Sequence, residues 1–180
     1  LDIAPAAVEN LTVVPEPKGK KKADVKFTLP SKTVGGAALA AVDSVEITRG
    51  NKIIATLKNK KAGENISYTD DTPNNAIYKY SVRCYYSGEF SPVASASKFI
   101  GTDTPTIPQG VKITDNGSKI NVAWNKFDRG INDGYIDPSD IAVTVFSTVN
   151  YPFFGLQVKD SISTSKKGDL SIEIDQNSEE

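Results

Sequence analysis

The residues of this 180-residue chain that could carry chemistry are few and scattered. There are no histidines, which removes the commonest general base and the commonest metal ligand together. The one cysteine, Cys84, allows no intrachain disulfide and falls on the apolar side of an alternating run, where it reads as a small core residue. Asp128, Asn132, Asp133, Asp137 and Asp140 supply oxygen ligands of the kind calcium takes, but their spacing matches no calcium loop, and Gly134 and Pro138 fit an ordinary turn. Asp70 and Asp71 are adjacent, so in an extended backbone their carboxylates diverge and cannot share a proton. Lys18, Lys20, Lys21 and Lys22 could meet a polyanion, yet a lysine-rich turn between strands more often serves to block edge-to-edge aggregation. The stretch Tyr151-Pro152-Phe153-Phe154-Gly155 is the most unusual. On a loop, Tyr151, Phe153 and Phe154 could stack on sugar faces or anchor a protein, and as core residues they would simply pack. No nucleophile–base pair, Gly-rich phosphate loop or thiolate metal set can be drawn, so no catalytic, cofactor-binding or metal-ligating residue is assigned.

The elements that would position these groups are strands. In Tyr78-Lys79-Tyr80-Ser81-Val82-Arg83-Cys84-Tyr85-Tyr86, every second residue from Tyr78 is apolar or aromatic, the mark of a strand with one buried face. Shorter alternating runs predict strands over residues 8–14, 25–29, 45–48, 53–57, 66–69 and 93–100. Arg49-Gly50-Asn51-Lys52 and Ser87-Gly88-Glu89 read as turns, and residues 37–41 as one short helical turn. Seven short strands in about 100 residues, without a long helix, predict an antiparallel two-sheet sandwich. Residues 101–107 then read as a linker, and the pattern restarts. Ile120, Val122 and Trp124 alternate, with Trp124 answering to Phe27, and Val143-Thr144-Val145 answers to Val45-Glu46-Ile47. Two long units of one type are expected, over residues 1–101 and 102–180.

Net charge is −1, so no overall field favours nucleic acid or an anionic membrane, and no apolar run approaches the roughly 20 residues of a membrane-spanning helix. An upstream targeting segment or lipid anchor is compatible with the sequence.

Tyr78, followed by Tyr80, Val82 and Cys84, then Gly88 and Ser91, resembles the sixth strand and following turn of fibronectin type III domains. Trp124 resembles that family's second-strand core Trp, and Phe27 takes the place in the first half. The resemblance implies an all-β fold of two immunoglobulin-like sandwiches in tandem, with Tyr78 as the tyrosine-corner residue. The loop before Tyr78 lacks the Leu that the family usually carries. The long insertions and the phrase Gly134-Tyr135-Ile136-Asp137-Pro138 resemble variants from bacterial secreted and surface proteins. In the second half the last candidate strand is residues 170–174, and counterparts of the sixth and seventh strands are missing. The expectation is that they come from further residues of a longer protein or from another chain. The resemblance implies a non-enzymatic extracellular or cell-surface module that binds a protein or glycan, or else a spacer for a glycosidase or peptidase domain outside these residues.

Overall fold

A computed structural model describes residues 3–151 and 156–176, with side chains described for 3–148 and 161–176. The fold is all-β, in antiparallel sheets. The chain separates into two compact units: residues 1–103 with 132–135, and residues 104–131 with 136–180.

Unit 1 holds β1 (Glu9–Pro15), β2 (Lys22–Thr28), β3 (Ala41–Arg49), β4 (Lys52–Lys61), β5 (Asn65–Asp71), β6 (Ala76–Tyr86), the two-residue β7 (Glu89–Phe90) and β8 (Ala94–Ile100). One sheet has the order β1-β2-β5, and the other β4-β3-β6, with β7 and β8 both paired to β6. The long alternating strand is therefore central, and its inward residues Tyr80, Val82 and Cys84 are fully buried. They meet Val45 and Ile47 of their own sheet and Val25, Phe27 and Ile66 of the facing one in a single apolar cluster. Two tight turns fix the register. Gly50 adopts φ 58° between the paired Arg49 and Lys52, and Ser87 and Gly88 adopt φ 49° and 86° between Tyr86 and Glu89. Positive φ at the centre of a two-residue hairpin matches the right-handed twist of its strands.

The short helical turn expected over residues 37–41 does not form. Thr33 captures that segment instead, donating its N–H to the Ala37 carbonyl and accepting the Ala37 N–H at Oγ1, at 2.8 and 3.1 Å. Leu39 is buried and Ala41 already begins β3, so burial and strand pairing outweigh the weak helical preference of four alanines.

Unit 2 holds β9 (Lys112–Asp115), β10 (Lys119–Ala123), β11 (Thr144–Tyr151), β12 (Leu156–Thr164) and β13 (Ser171–Asp175), with a 3₁₀ turn at Pro138–Asp140. Its sheets are β9-β10-β13 and β11-β12. Val122, Trp124, Phe127, Ile136 and Val143 form its buried cluster. The strand β12 was not expected from the sequence; pairing with β11 defines it.

One seryl motif occurs in both units. Ser91 Oγ accepts the Cys84 N–H and donates to the Pro92 carbonyl, each at 2.9 Å, while its own N–H bonds the Cys84 carbonyl. Ser165 repeats this with Val143 and the Lys166 carbonyl. Ser91→Ala leaves the buried Cys84 N–H without its acceptor. Urea unfolding should show a loss of about 1–3 kcal/mol, and a loss below a few tenths would contradict this role.

Candidate functional site

The residues singled out in sequence do not come together. Tyr151 ends β11, but its side chain, and Phe153 and Phe154 altogether, lie outside the described residues. The acidic and amide group is divided among separate structural tasks. Asp137 caps the 3₁₀ turn, accepting from the Ser139 N–H and hydroxyl at 3.0 and 2.6 Å, and these bonds lower its pKa. Asp140 pairs with Lys167 at 2.8 Å, and that bond raises the lysine pKa. Asn132 belongs with unit 1, where its N–H and amide bond the buried carboxylate of Asp103. Among the described residues, no three acidic or thiol side chains converge as a metal would need. The lysine turn is exposed, with Glu16 accepting the backbone N–H groups of Lys18 and Lys20. Cys84 is fully buried, and desolvation raises its thiol pKa, so it is a core residue with little thiolate character.

Asp70 and Asp71 do diverge, and Asp70 has a partner set that sequence reasoning missed. Its carboxylate accepts from Arg49 Nη1 at 2.7 Å on both oxygens and from the Tyr80 hydroxyl at 2.6 Å. Strand register places Arg49 on β3 directly opposite Tyr80 on β6, so the facing β5 can deliver Asp70 to both. Asp71 is exposed and lies 3.8 Å from Lys22. Nearby, the Tyr78 hydroxyl accepts the Asn74 N–H and donates to the Asn74 carbonyl, at 3.0 and 3.1 Å. This is the bond back to the backbone that a tyrosine corner makes. The Arg49–Asp70–Tyr80 group joins the two sheets.

Burial raises the Tyr80 pKa well above its ordinary value, and the Asp70 hydrogen bond and charge add to the shift, against the lowering pull of Arg49. The unfolded tyrosine ionises near about pH 10, before the folded one. The neutral phenol's stabilisation is therefore complete below that pH and disappears as pH rises through the folded pKa. Wild-type stability in urea should fall above about pH 10 more steeply than that of Tyr80→Phe. Parallel slopes would contradict the assignment.

The outward face of the larger sheet of unit 1 is different in kind. Glu46 and Arg83 face each other across β3 and β6, and Arg83 Nε donates to Glu46 Oε2 at 2.7 Å. The Arg83 guanidinium also lies 3.7 Å from the ring centroid of Phe90, which sits 5.0 Å from the Tyr85 ring. The cation over the ring face is an attractive pairing, and the Arg83 side chain stays 40% exposed. Thr48, Ser81, Ile53 and Val93 line a shallow depression beside it, and Ile53 and Val93 are more than half exposed. The arrangement can bind through an ion pair, two aromatic rings and two apolar side chains.

The two sheets of unit 1 define an immunoglobulin-like β-sandwich, with the first, second and fifth strands against the third, fourth, sixth and last, the strand order of fibronectin type III domains. No family model matches the sequence, and no curated protein does. Solved structures similar to it are arrays of that domain. The chicken CNTN1 FN1-FN3 domains are 15% identical over 96% of this chain and 55% of theirs, with a TM-score of 0.37. A two-domain fibronectin type III segment from chicken tenascin is 12% identical over 93% and 82%, with a TM-score of 0.38. The central fibronectin III array of RIM-binding protein is 17% identical over 97% and 54%, with a TM-score of 0.34. The chain thus spans about half the length of two of these three structures.

Proposed function

We propose that the chain is a tandem of two fibronectin type III-like sandwiches, a non-enzymatic module that binds a protein or glycan on the outside of a cell or in a secreted protein. The observation that carries this reading is the Glu46–Arg83–Phe90 group, a preorganised charged and aromatic feature on a flat, partly apolar sheet face. Elsewhere in unit 1 the Arg49–Asp70–Tyr80 charges are spent on joining the sheets. Sandwiches of this class commonly serve adhesion or spacing. A bacterial secreted or surface origin agrees with the Gly134–Pro138 phrase. No helix among the described residues is long and apolar enough to cross a membrane. Unit 2 would be completed by strands from further residues or from another chain.

The test is a panel of glycans and matrix proteins probed with the wild type and Arg83→Glu. A ligand bound by the wild type and at least tenfold more weakly by the variant supports binding at this face. Binding untouched by Arg83→Glu moves the site elsewhere. Absence of any ligand, together with a hydrolase or peptidase domain in the same polypeptide, favours the second reading, a spacer that positions a catalytic domain.

A further inference from the structure

We propose that the Arg83 face of unit 1 takes an acidic segment of a protein partner, with one carboxylate of that segment held by the two terminal nitrogens of Arg83 and a neighbouring aliphatic side chain laid on Ile53 and Val93. The proposal rests on the reading of this face as the binding face and names the chemistry of its partner.

The sheet register builds the site. The inward row of β6 is Tyr80, Val82 and Cys84, so Lys79, Ser81 and Arg83 point outward. Glu46 stands opposite Arg83, Thr48 opposite Ser81, and Ile53 opposite Thr48. Val93 precedes Ala94, which pairs with Val82 beside Arg83. Both edges of β6 are bonded, to β3 and to β8, so a partner lies across this face and is held through side chains.

Arg83 is only partly used. Its Nε donates to Glu46 Oε2 at 2.7 Å, and its guanidinium lies 3.7 Å from the Phe90 ring centroid. Among the described residues, Nη1 and Nη2 have no hydrogen-bond partner. Two contacts already restrict the side chain, so less of its freedom is lost when the rest of the fork binds. Paired N–H donors in one plane match the two oxygens of a carboxylate.

Charge selects within the oxyanions. Lys79 is exposed on the same row, so Lys79, Arg83 and Glu46 together leave one net positive charge. That complements a singly charged carboxylate. A phosphate monoester, close to doubly charged, would meet stronger repulsion from Glu46.

The apolar neighbours select a protein over a sugar. Ile53 is 52% exposed and Val93 58% exposed, and both are aliphatic. Covering them with another aliphatic side chain takes apolar area out of water. Sugar faces stack on aromatic rings, and Phe90 has given one face to the guanidinium. In an extended segment, residues two apart share a face, which lets a glutamate meet Arg83 while a flanking valine covers the aliphatic pair.

The probe is the blocked peptide acetyl-Val-Ser-Glu-Ser-Val-amide, titrated into the isotope-labelled intact chain. Saturating shifts are expected in the Arg83 side-chain N–H signals and in the Ile53 and Val93 methyl signals. The same peptide with glutamine for glutamate should bind at least tenfold more weakly. So should the original peptide to Arg83→Lys, which keeps the charge and loses the paired donors. Unchanged Tyr80 and Val82 amide signals would show that the variant sheet is intact. No movement of these signals at the highest soluble peptide concentration overturns the proposal. So does equal binding of the glutamine peptide, or of the glutamate peptide to Arg83→Lys. Tighter binding of glucuronate or of inorganic phosphate than of the peptide also overturns it, by making an acidic sugar or a phosphorylated group the occupant. A ligand from the glycan and matrix panel that is weakened by Arg83→Glu but not by Arg83→Lys overturns this proposal alone and leaves the face as the binding site. Panel binding untouched by Arg83→Glu overturns the wider reading, and the proposal with it.

Discussion

Asp70→Ala should destabilise the protein by about 3 kcal/mol, because removing one member of a buried pair strands the other. Arg49 loses both oxygens of its only carboxylate partner in the cluster, and the Tyr80 hydroxyl loses its acceptor. The lower end of the usual range applies, since the Arg49 side chain keeps 15% exposure while that of Asp70 keeps 7%. The sign of the coupled variant separates this account from simple loss of volume. Arg49→Met, Asp70→Leu and Tyr80→Phe together remove all three polar partners, and apolar replacement of a whole buried cluster is often close to neutral. The triple variant should therefore be more stable in urea than Asp70→Ala alone. A triple variant less stable than the single one would show that the cluster stabilises the sandwich outright.

Phe27→Ala should lower stability by about 3–5 kcal/mol, the usual loss for emptying a buried aromatic site. Phe27 is 3% exposed, packs within the cluster that spans both sheets, pairs with Ile66 of β5, and lies between Lys26 and Thr28, which pair with β1. Sheets fixed by two paired neighbours cannot collapse easily into the cavity, which puts the expected loss in the upper half of that range. Denaturant midpoints with an unchanged slope would be the signature. A loss below about 1 kcal/mol would mean that the β2 face is not the centre of this core.

The parts of the fold legible in sequence are those set by local pattern. β6 follows from an uninterrupted period of two, and its neighbouring turns from Gly50 and Gly88, where positive φ favours glycine. The tyrosine corner was implied by the family resemblance of the Tyr78 strand, and its bond to Asn74 spans only four residues. What the sequence hid is non-local. Arg49 reads as a turn residue and Asp70 as one of two adjacent, diverging carboxylates until the β3–β6 register sets Arg49 beside Tyr80. Glu46 and Arg83 look like separate solvated charges for the same reason, being 37 residues apart. Residues 156–164 carry no clean alternation, and their strand exists through partnership with β11. The alanines before β3 misled because propensity over four residues is weaker than two bonds to Thr33.

The account turns on one strand frame used twice: β3 is paired along both edges in unit 1, and among the described residues β11 is paired to β12 in unit 2. Residue-resolved amide hydrogen exchange on the intact chain tests that directly. Successive residues of a strand bond alternately to either side, so an edge strand protects only half of its amides. The predicted result is slow exchange at every amide of residues 44–49 in β3 and 80–85 in β6, and alternating slow and fast exchange through residues 144–148 in β11. Uniform slow exchange through residues 144–148 in the free, monomeric chain would contradict it.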